Sequence, residues 1–268
     1  MLRPAIVVVL LVLTIGVPLW LVLVTSAKSK GDALNPSLAL PSDGWHVASN
    51  YSGVFSDGRI RQALFGSVSI VVPSVVLLLL FGSMAAWVLA RRRGLVVSLL
   101  YSVGISGIVL PPAVITLVLL LRQLGLRGTL TGMVLVYAGI YMSTAIFFIT
   151  GFIRTIPISL EEAARVDGAG PLRIFFGIIV PLLRPVLATA TILICLYIWN
   201  DVFYAFFVIG GRKDTLPLNL FQVASAGLYV NNWHLIFAYV VLMSLPLLAV
   251  FVIAQRRIIS GITGGAVK

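Results

Sequence analysis

The sequence predicts an all-α membrane protein with six transmembrane helices, because its composition and the lengths of its apolar runs are both typical of membrane spans. Apolar residues make up 60% of the chain and charged residues only 10%, whereas soluble domains carry about 25% charged residues. The apolar runs have roughly 20 residues or more, enough to cross a hydrocarbon layer of about 30 Å as helices. None shows the alternating polarity of a barrel strand.

Six apolar runs are predicted as spans, and together they form one transmembrane domain over residues 1–268. They cover residues 5–24, 65–90, 95–121, 130–153, 186–209 and 235–254. The first run could also be the core of a signal peptide. Such cores have about 7–15 residues, however, and this run is longer and contains Pro18 and Trp20. A retained span is therefore the favoured interpretation.

The positions of the basic residues predict that both termini are cytoplasmic. Arginine clusters beside a span mark the inner side of a membrane, and the strongest clusters are the triplet at 91–93 and the pair at 256–257. Lys28 and Lys30, after the first span, oppose this assignment. The net charge of +11 does not indicate nucleic acid as a partner, because the basic residues lie at the ends of apolar runs and form no basic face.

The predicted inner loop at 154–185 has the pattern of a short helix. Pro157 prevents the fourth span from continuing into it, and Ser159 followed by Glu162 is the pattern of a capping box. Gly168 is then placed to end the helix. We expect a helix of about ten residues on the inner membrane surface. From these residues alone, an interfacial amphipathic helix without a partner is the less favoured alternative.

A spaced set of residues in this loop resembles the EAA loop of a known transporter family. The set comprises Glu162-Ala163-Ala164, then Gly168, Ile178 and Val180-Pro181. It is similar to the signature of permease subunits of binding-protein-dependent ABC importers, in which leucine usually stands where this chain has Val180. Further segments resemble the carbohydrate-importer branch of that family: residues 161–170, Gly125-Leu126, Thr129, Tyr137, 199–201, 215–217 and 261–268.

The resemblance implies that the short helix is a cytoplasmic coupling helix between spans four and five, docked on a separate ATPase subunit. The residues then expected to serve ATPase coupling are Glu161, Glu162, Ala163, Ala164, Arg165, Asp167, Gly168 and Pro181. ATP and Mg would bind that partner, since this chain has no Gly-Lys pair and hence no Walker A loop. No cofactor, metal ion or catalytic residue is expected on this chain.

The resemblance also implies the partners, the cellular location and the function of the chain. The expected partners are a second, related permease subunit, ATPase subunits on the cytoplasmic side, an extracytoplasmic solute-binding protein and membrane lipid, all at the cell inner membrane. The expected function is to form the translocation pathway for a sugar or sugar-like solute. The identity of that solute stays open, since this chain has Gly66-Ser67 where relatives often carry Asn-Ser.

Polar and helix-breaking residues inside the predicted spans are the candidates for the substrate pathway. Asp201 is the one acidic residue within a predicted span, and with Asn200 and Tyr204 it could hydrogen-bond the hydroxyls of a solute. A structural pairing of Asp201 with another span is the alternative. Pro111 and Pro112 must break the third span, either to line the pathway or as a packing kink.

Two other classes of function are less well supported. A secondary transporter or channel acting without an ATPase usually needs several ionisable groups in the membrane, and the predicted spans contain one Asp and no Lys, Arg or His. A membrane enzyme is not indicated, because there is no Gly-x-Ser-x-Gly elbow and no cluster of His, Asp and Glu. His46 and His234 are too far apart in sequence to suggest a metal site.

Overall fold

The computed structural model describes residues 2–56, 59–110, 112–225 and 231–265, and all the regular elements in these ranges are helical. The helices are α1 Leu2–Leu11, α2 Val17–Ser26, α3 Val47–Ser56, α4 Arg59–Arg91, α5 Leu95–Ser106, α6 Val114–Gln123, α7 Leu130–Ile153, α8 Ser159–Val166, α9 Pro171–Ile174, α10 Val180–Leu182, α11 Arg184–Trp199, α12 Phe203–Val208, α13 Leu216–Ser225 and α14 Trp233–Gly265. One π-helical turn at Val12–Gly16 connects α1 to α2, and another at Phe175–Ile179 connects α9 to α10. The predicted all-α class is confirmed.

Among the described residues, four helices are long and apolar enough to cross a membrane. They are Pro4–Ser26, Arg59–Arg91, Leu130–Ile153 and Trp233–Ile253, and a fifth span results if the pair Pro171–Leu182 and Arg184–Trp199, bent by 75°, counts as one. The four helices correspond to the predicted first, second, fourth and sixth spans, and the last of them ends one residue before the predicted end at 254. The fourth agrees with the prediction at both ends.

The predicted third span is divided into two shorter helices. α5 ends at Ser106 and α6 begins at Val114, so a continuous helix over 95–121 is not formed. Turns follow α5, in which the amides of Ile108 and Val109 donate to carbonyls three residues earlier. The break contains Pro112, which has no amide hydrogen to donate, and the interruption predicted at the prolines is thus confirmed. Pro111 itself lies outside the described residues.

The predicted fifth span is also interrupted, and the expectation of one helix over 186–209 was wrong. α11 ends at Trp199 and α12 begins at Phe203. The Asp201 carboxylate accepts hydrogen bonds from the backbone amides of Tyr204, at 3.3 Å, and Ala205, at 3.0 Å. In an unbroken helix these amides would donate to carbonyls four residues earlier. The side chain therefore replaces the backbone as acceptor for the first amides of α12 and fixes the start of that helix after the break.

The chain divides into two compact units, of which the first comprises Met1–Ser67 and Asp214–Leu248. In this unit the main-chain oxygen of Asp214 fills the space where a side chain on Gly66 would begin. The neighbouring Ser67 hydroxyl accepts a hydrogen bond from the Leu216 amide at 2.9 Å. The start of α4 is thereby fixed against the start of α13. The span Pro4–Ser26 differs, because none of its most apolar window of 18 residues is buried.

The segment after the first span is held by buried polar groups. Lys28 is fully buried, and its ammonium group donates to the Ser37 hydroxyl at 2.9 Å and to the Ser37 carbonyl at 3.2 Å. The buried Asn50 amide of α3 donates to the carbonyls of Ser26 and Lys28, at 2.9 and 2.8 Å. Because each donor has an acceptor, this turn-rich segment can pack closely.

The second unit comprises Val68–Lys213 and Ala249–Lys268, and α7 is its central helix. α7 packs against α5, α11 and α12, and half of its most apolar window is buried. At Gly82, α4 passes so close to α7 that an added side-chain carbon would lie 3.0 Å from the Ala145 methyl group. This packing fixes the positions of three segments that supply the candidate functional residues. They are the end of α4, the middle of α7 and the α11–α12 break.

Candidate coupling helix and intramembrane polar site

The short helix predicted in the loop after the fourth span is α8, and it begins differently from the prediction. It has eight residues rather than about ten, starts at Ser159 and has no side-chain cap. The prediction of a capping box at Ser159 is therefore wrong. The Ile158 carbonyl accepts hydrogen bonds from the amides of Glu161 and Glu162, at 2.9 and 3.1 Å. Since Ile158 already has helical backbone angles, Ser159 lies inside the helix and cannot cap it.

The end of α8 confirms the role predicted for Gly168. Its φ angle is +79°, in the left-handed region that glycine enters without a steric penalty. The Gly168 amide donates to the Arg165 carbonyl at 3.0 Å, and the Ala169 amide donates to the Ala164 carbonyl at 2.9 Å. These bonds satisfy carbonyls at the helix end, and the chain then turns towards α9.

Glu161 does not point outward from α8 but is fully buried. Its carboxylate accepts hydrogen bonds from the Arg91 guanidinium at 2.7 Å and the Trp87 indole at 3.1 Å, both near the end of α4. Arg165 approaches the same carboxylate at 3.4 Å. Arg91 also donates to the Ile156 carbonyl at 3.0 Å. The end of α4 therefore holds both α8 and the residues that precede it.

The other residues expected to serve coupling lie on the accessible side of this segment. Glu162, Ala163, Arg165, Asp167 and Gly168 are exposed, and Ala164 is half-buried. Pro181, also half-buried, lies in α10, one residue after its start. α8 therefore has two faces: Glu161 is directed into the protein, and Glu162 and Ala163 are directed out of it.

The residues predicted for a substrate pathway meet in part at the α11–α12 break. The Asp201 carboxylate accepts a hydrogen bond from the Tyr137 hydroxyl of α7 at 2.7 Å, in addition to the amides of Tyr204 and Ala205. Asn200 is exposed, and its side-chain amide donates to the Leu196 carbonyl at 2.8 Å. Asn200, Asp201 and Tyr204 thus lie together. Pro112 is elsewhere, in the break between α5 and α6.

Three tyrosines extend from Asp201 to the exposed side of α11. The rings of Tyr137 and Tyr141 are 6.0 Å apart, and those of Tyr141 and Tyr197 are 5.7 Å apart and almost parallel, at 12°. Tyr137 is buried, whereas Tyr197 is 48% exposed. Tyr137, Tyr141 and Tyr197 were not predicted from the sequence to belong to this site. The signal available was their hydroxyl groups, which are polar atoms within otherwise apolar runs.

Comparison with known proteins identifies the family. Residues 78–264 match the model of the family described as the inner membrane component of binding-protein-dependent transport systems. The chain belongs to this family. It is therefore a permease, a multi-pass component of the inner membrane that works with a solute-binding protein and an ATPase, and a transport subunit rather than an enzyme.

Several curated proteins resemble the permease over most of its length. It is 35% identical to the melibiose/raffinose/stachyose import permease protein MelC of Bacillus subtilis, over 94% of this chain and 91% of the relative. It is 33% identical to the diacetylchitobiose uptake system permease protein NgcG of Streptomyces coelicolor, over 94% of this chain and 84% of the relative. The multiple sugar-binding transport system permease protein MsmG of Streptococcus mutans is 32% identical, over 96% of this chain and 95% of the relative.

A solved structure shares the fold of the permease. It is the crystal structure of a bacterial ABC transporter involved in the import of the acidic polysaccharide alginate, matched with a TM-score of 0.81 over 95% of each chain and 23% sequence identity. This supports the helical arrangement described above.

In the part of the permease that the structure describes, no group of three or more His, Cys, Asp or Glu side chains could hold a metal ion.

Proposed function

We propose that the permease forms the translocation pathway for a sugar or sugar-like solute in an ATP-driven importer. The support comes from its relatives, whose names specify melibiose, raffinose, stachyose, diacetylchitobiose and multiple sugars. They resemble this chain over nearly its whole length, so the similarity includes both membrane spans and loops. ATP and Mg bind the partner ATPase in this proposal, and the solute is delivered by the extracytoplasmic binding protein.

The proposed topology has six spans with both termini in the cytoplasm. α5 and α6 together form the third span, which is broken near Pro112, and α11 and α12 together form the fifth, broken at Asn200. Backbone without helical hydrogen bonds is tolerated at membrane depth where it is covered by protein or lines a water-filled cavity. The arginines that follow α4 then lie on the inner side, as the positive-inside rule requires.

α8 is the proposed coupling helix. The observation that carries this proposal is that one face of α8 is bound to α4 while the opposite face is exposed. Glu162 and Ala163 are exposed and free to meet the ATPase, with Ala164, Arg165, Asp167 and Gly168 beside them. The buried Glu161 binds Arg91 and Trp87 instead. A displacement of α8 by the ATPase is then transmitted directly to α4, a helix of 33 residues. Pro181 shapes the return towards α11.

The coupling proposal is tested in the reconstituted transporter with its ATPase and binding protein. Gly168→Leu places a side chain at a left-handed position, and Glu162→Lys reverses an exposed charge; both should uncouple ATP hydrolysis from uptake while leaving the permease inserted. A cysteine at position 164 should cross-link to the ATPase subunit. Normal uptake in both variants, together with no cross-link, would contradict the assignment of α8.

The α11–α12 break is the proposed lining of the pathway. Asn200 and Tyr197 are exposed, and Tyr204 is half-buried, on segments at membrane depth. Polar side chains at such depth face protein or a water-filled cavity rather than lipid. We therefore place a second, related permease subunit opposite this surface, with the solute between the two chains. Asp201 has its carboxylate engaged by Tyr137 and two amides, so its contribution is to hold the break in shape.

A further inference from the structure

The arginines at the end of α4 form part of a basic cluster with little compensating charge. Five arginines line two adjoining cavities: Arg91, Arg92, Arg93, Arg154 and Arg165. Glu161, which binds Arg91 and Arg165, is the acid beside them. Within the described residues, Arg92 and Arg93 make no ion pair, and Arg154 lies over the ring of Tyr101 at 4.9 Å. Arg92, Arg93 and Arg154 can therefore bind an anion without first breaking a salt bridge.

The two cavities differ in character and share one wall. Both have volumes of about 600 Å³, and Arg91, Arg92 and Ile158 line each of them. One cavity adds Arg93 and Arg154, which makes it strongly basic. The other adds Trp87, Val88, Pro171 and Ile174, which give it an apolar side. A ligand that fits both cavities has an anionic group joined to an apolar part.

The position of the cluster indicates which ligand this is. Arg91 is the last residue of α4, which is apolar enough to span the membrane, so the arginines that follow lie at the depth of lipid headgroups. Guanidinium groups bind phosphate oxygens through paired hydrogen bonds. Basic pockets between transmembrane helices bind anionic phospholipid headgroups in other membrane proteins. Of the residues proposed to face the ATPase, Glu162 and Ala163 line neither cavity, whereas Arg165 lines the more apolar one.

We propose that these cavities form a specific site for an anionic phospholipid. The lipid phosphate binds Arg92 and Arg154, and the glycerol region packs against Trp87 and Ile174. Arg91 lines both cavities and also holds Glu161, so an occupied site stiffens the link between α4 and α8. The proposal does not depend on the identity of the transported solute, and its test needs no transport measurement.

The test is lipid retention by the full-length permease, purified with its partner subunits and observed by native mass spectrometry. Phosphatidylglycerol and phosphatidylcholine are titrated into wild type, into the double variant Arg92→Gln/Arg154→Gln, and into Arg184→Gln. Arg184 is an exposed arginine at the start of α11 that lines neither cavity. We expect the double variant to lose about thirtyfold in phosphatidylglycerol affinity, since each arginine near an anionic lipid contributes roughly fivefold.

The outcomes separate a specific lipid site from a general effect of basic charge and from a site for a free anion. Phosphatidylcholine retention and thermal stability should stay at wild-type levels in the double variant, and Arg184→Gln should retain phosphatidylglycerol like wild type. An equal fold loss of phosphatidylglycerol affinity per arginine removed in the double variant and in Arg184→Gln would overturn the proposal, because the loss would then not depend on which arginine is removed. Displacement of the lipid by inorganic phosphate alone would also overturn it, because the cavities would then bind phosphate without its lipid.

Discussion

The buried contact between Glu161 and Arg91 leads to a quantitative prediction for Glu161→Gln. This substitution preserves shape but removes the negative charge from a fully buried carboxylate, whose partner Arg91 is only 14% exposed. A hydrogen bond to a charged group contributes about 1.5–3 kcal/mol. Because about 1.4 kcal/mol is a tenfold change in an equilibrium, the equilibrium between attached and detached α8 should shift by roughly 10- to 100-fold.

Hydrogen–deuterium exchange of the assembled transporter measures this shift directly. Amides of α8 and of Ile156 should exchange about 10- to 100-fold faster in Glu161→Gln than in wild type, if exchange follows the detachment equilibrium. In reconstituted vesicles, ATP hydrolysis should persist while the amount of solute imported per ATP falls. The ATPase would still dock on the exposed face of α8, but its motion would reach α4 less effectively.

Arg165→Gln is the matched control for that experiment. Arg165 approaches the same carboxylate, but at 3.4 Å and with 53% of its side chain exposed, and exposed ion pairs contribute only about 0–1 kcal/mol. Its effect on α8 exchange should therefore remain below roughly sixfold. The proposed transmission through Arg91 would be refuted if Glu161→Gln and Arg165→Gln had equal exchange rates and both coupled normally.

The remaining predictions concern packing and the pathway. Tyr137→Phe removes the hydroxyl that binds the intramembrane carboxylate, and a thermal unfolding scan should show a loss of about 1.5–3 kcal/mol. Gly66→Ala pushes a methyl group against the Asp214 main-chain oxygen and should destabilise the chain by about 1–3 kcal/mol. Gly31→Ala, with no atom within 4 Å of the new carbon, should not. Asn200→Ala should raise the KM of uptake about fivefold through one lost hydrogen bond, with unchanged expression; an unchanged KM would remove Asn200 from the pathway.

The spans could be predicted where local sequence alone determines the helix. The fourth span was predicted at both ends because an apolar run is bounded by Thr129 and Arg154. The Thr129 hydroxyl accepts a hydrogen bond from the Gly132 amide at 2.9 Å. Thr129 therefore caps the start of α7. The break in the third span followed equally from local chemistry, since proline cannot donate a helical hydrogen bond.

The errors arose where distant residues decide the local structure. The α11–α12 break depends on the Asp201 carboxylate, which is held by Tyr137 from 64 residues earlier. Glu161 and Glu162 were both predicted to serve ATPase coupling, and both lie in the first turn of α8. Their opposite directions are set by Trp87 and Arg91, more than 60 residues earlier in the chain, and no local pattern contains that information.

The span Pro4–Ser26 stands apart from the interior of its own chain, since none of its most apolar window is buried. Over this window the helix buries no side chain against its own chain, so its sequence there needs mainly sufficient length and hydrophobicity. Its apolar residues should therefore be widely interchangeable in ways that those of α7 are not. A position in this window where an apolar substitution impairs uptake would therefore mark a contact with another subunit.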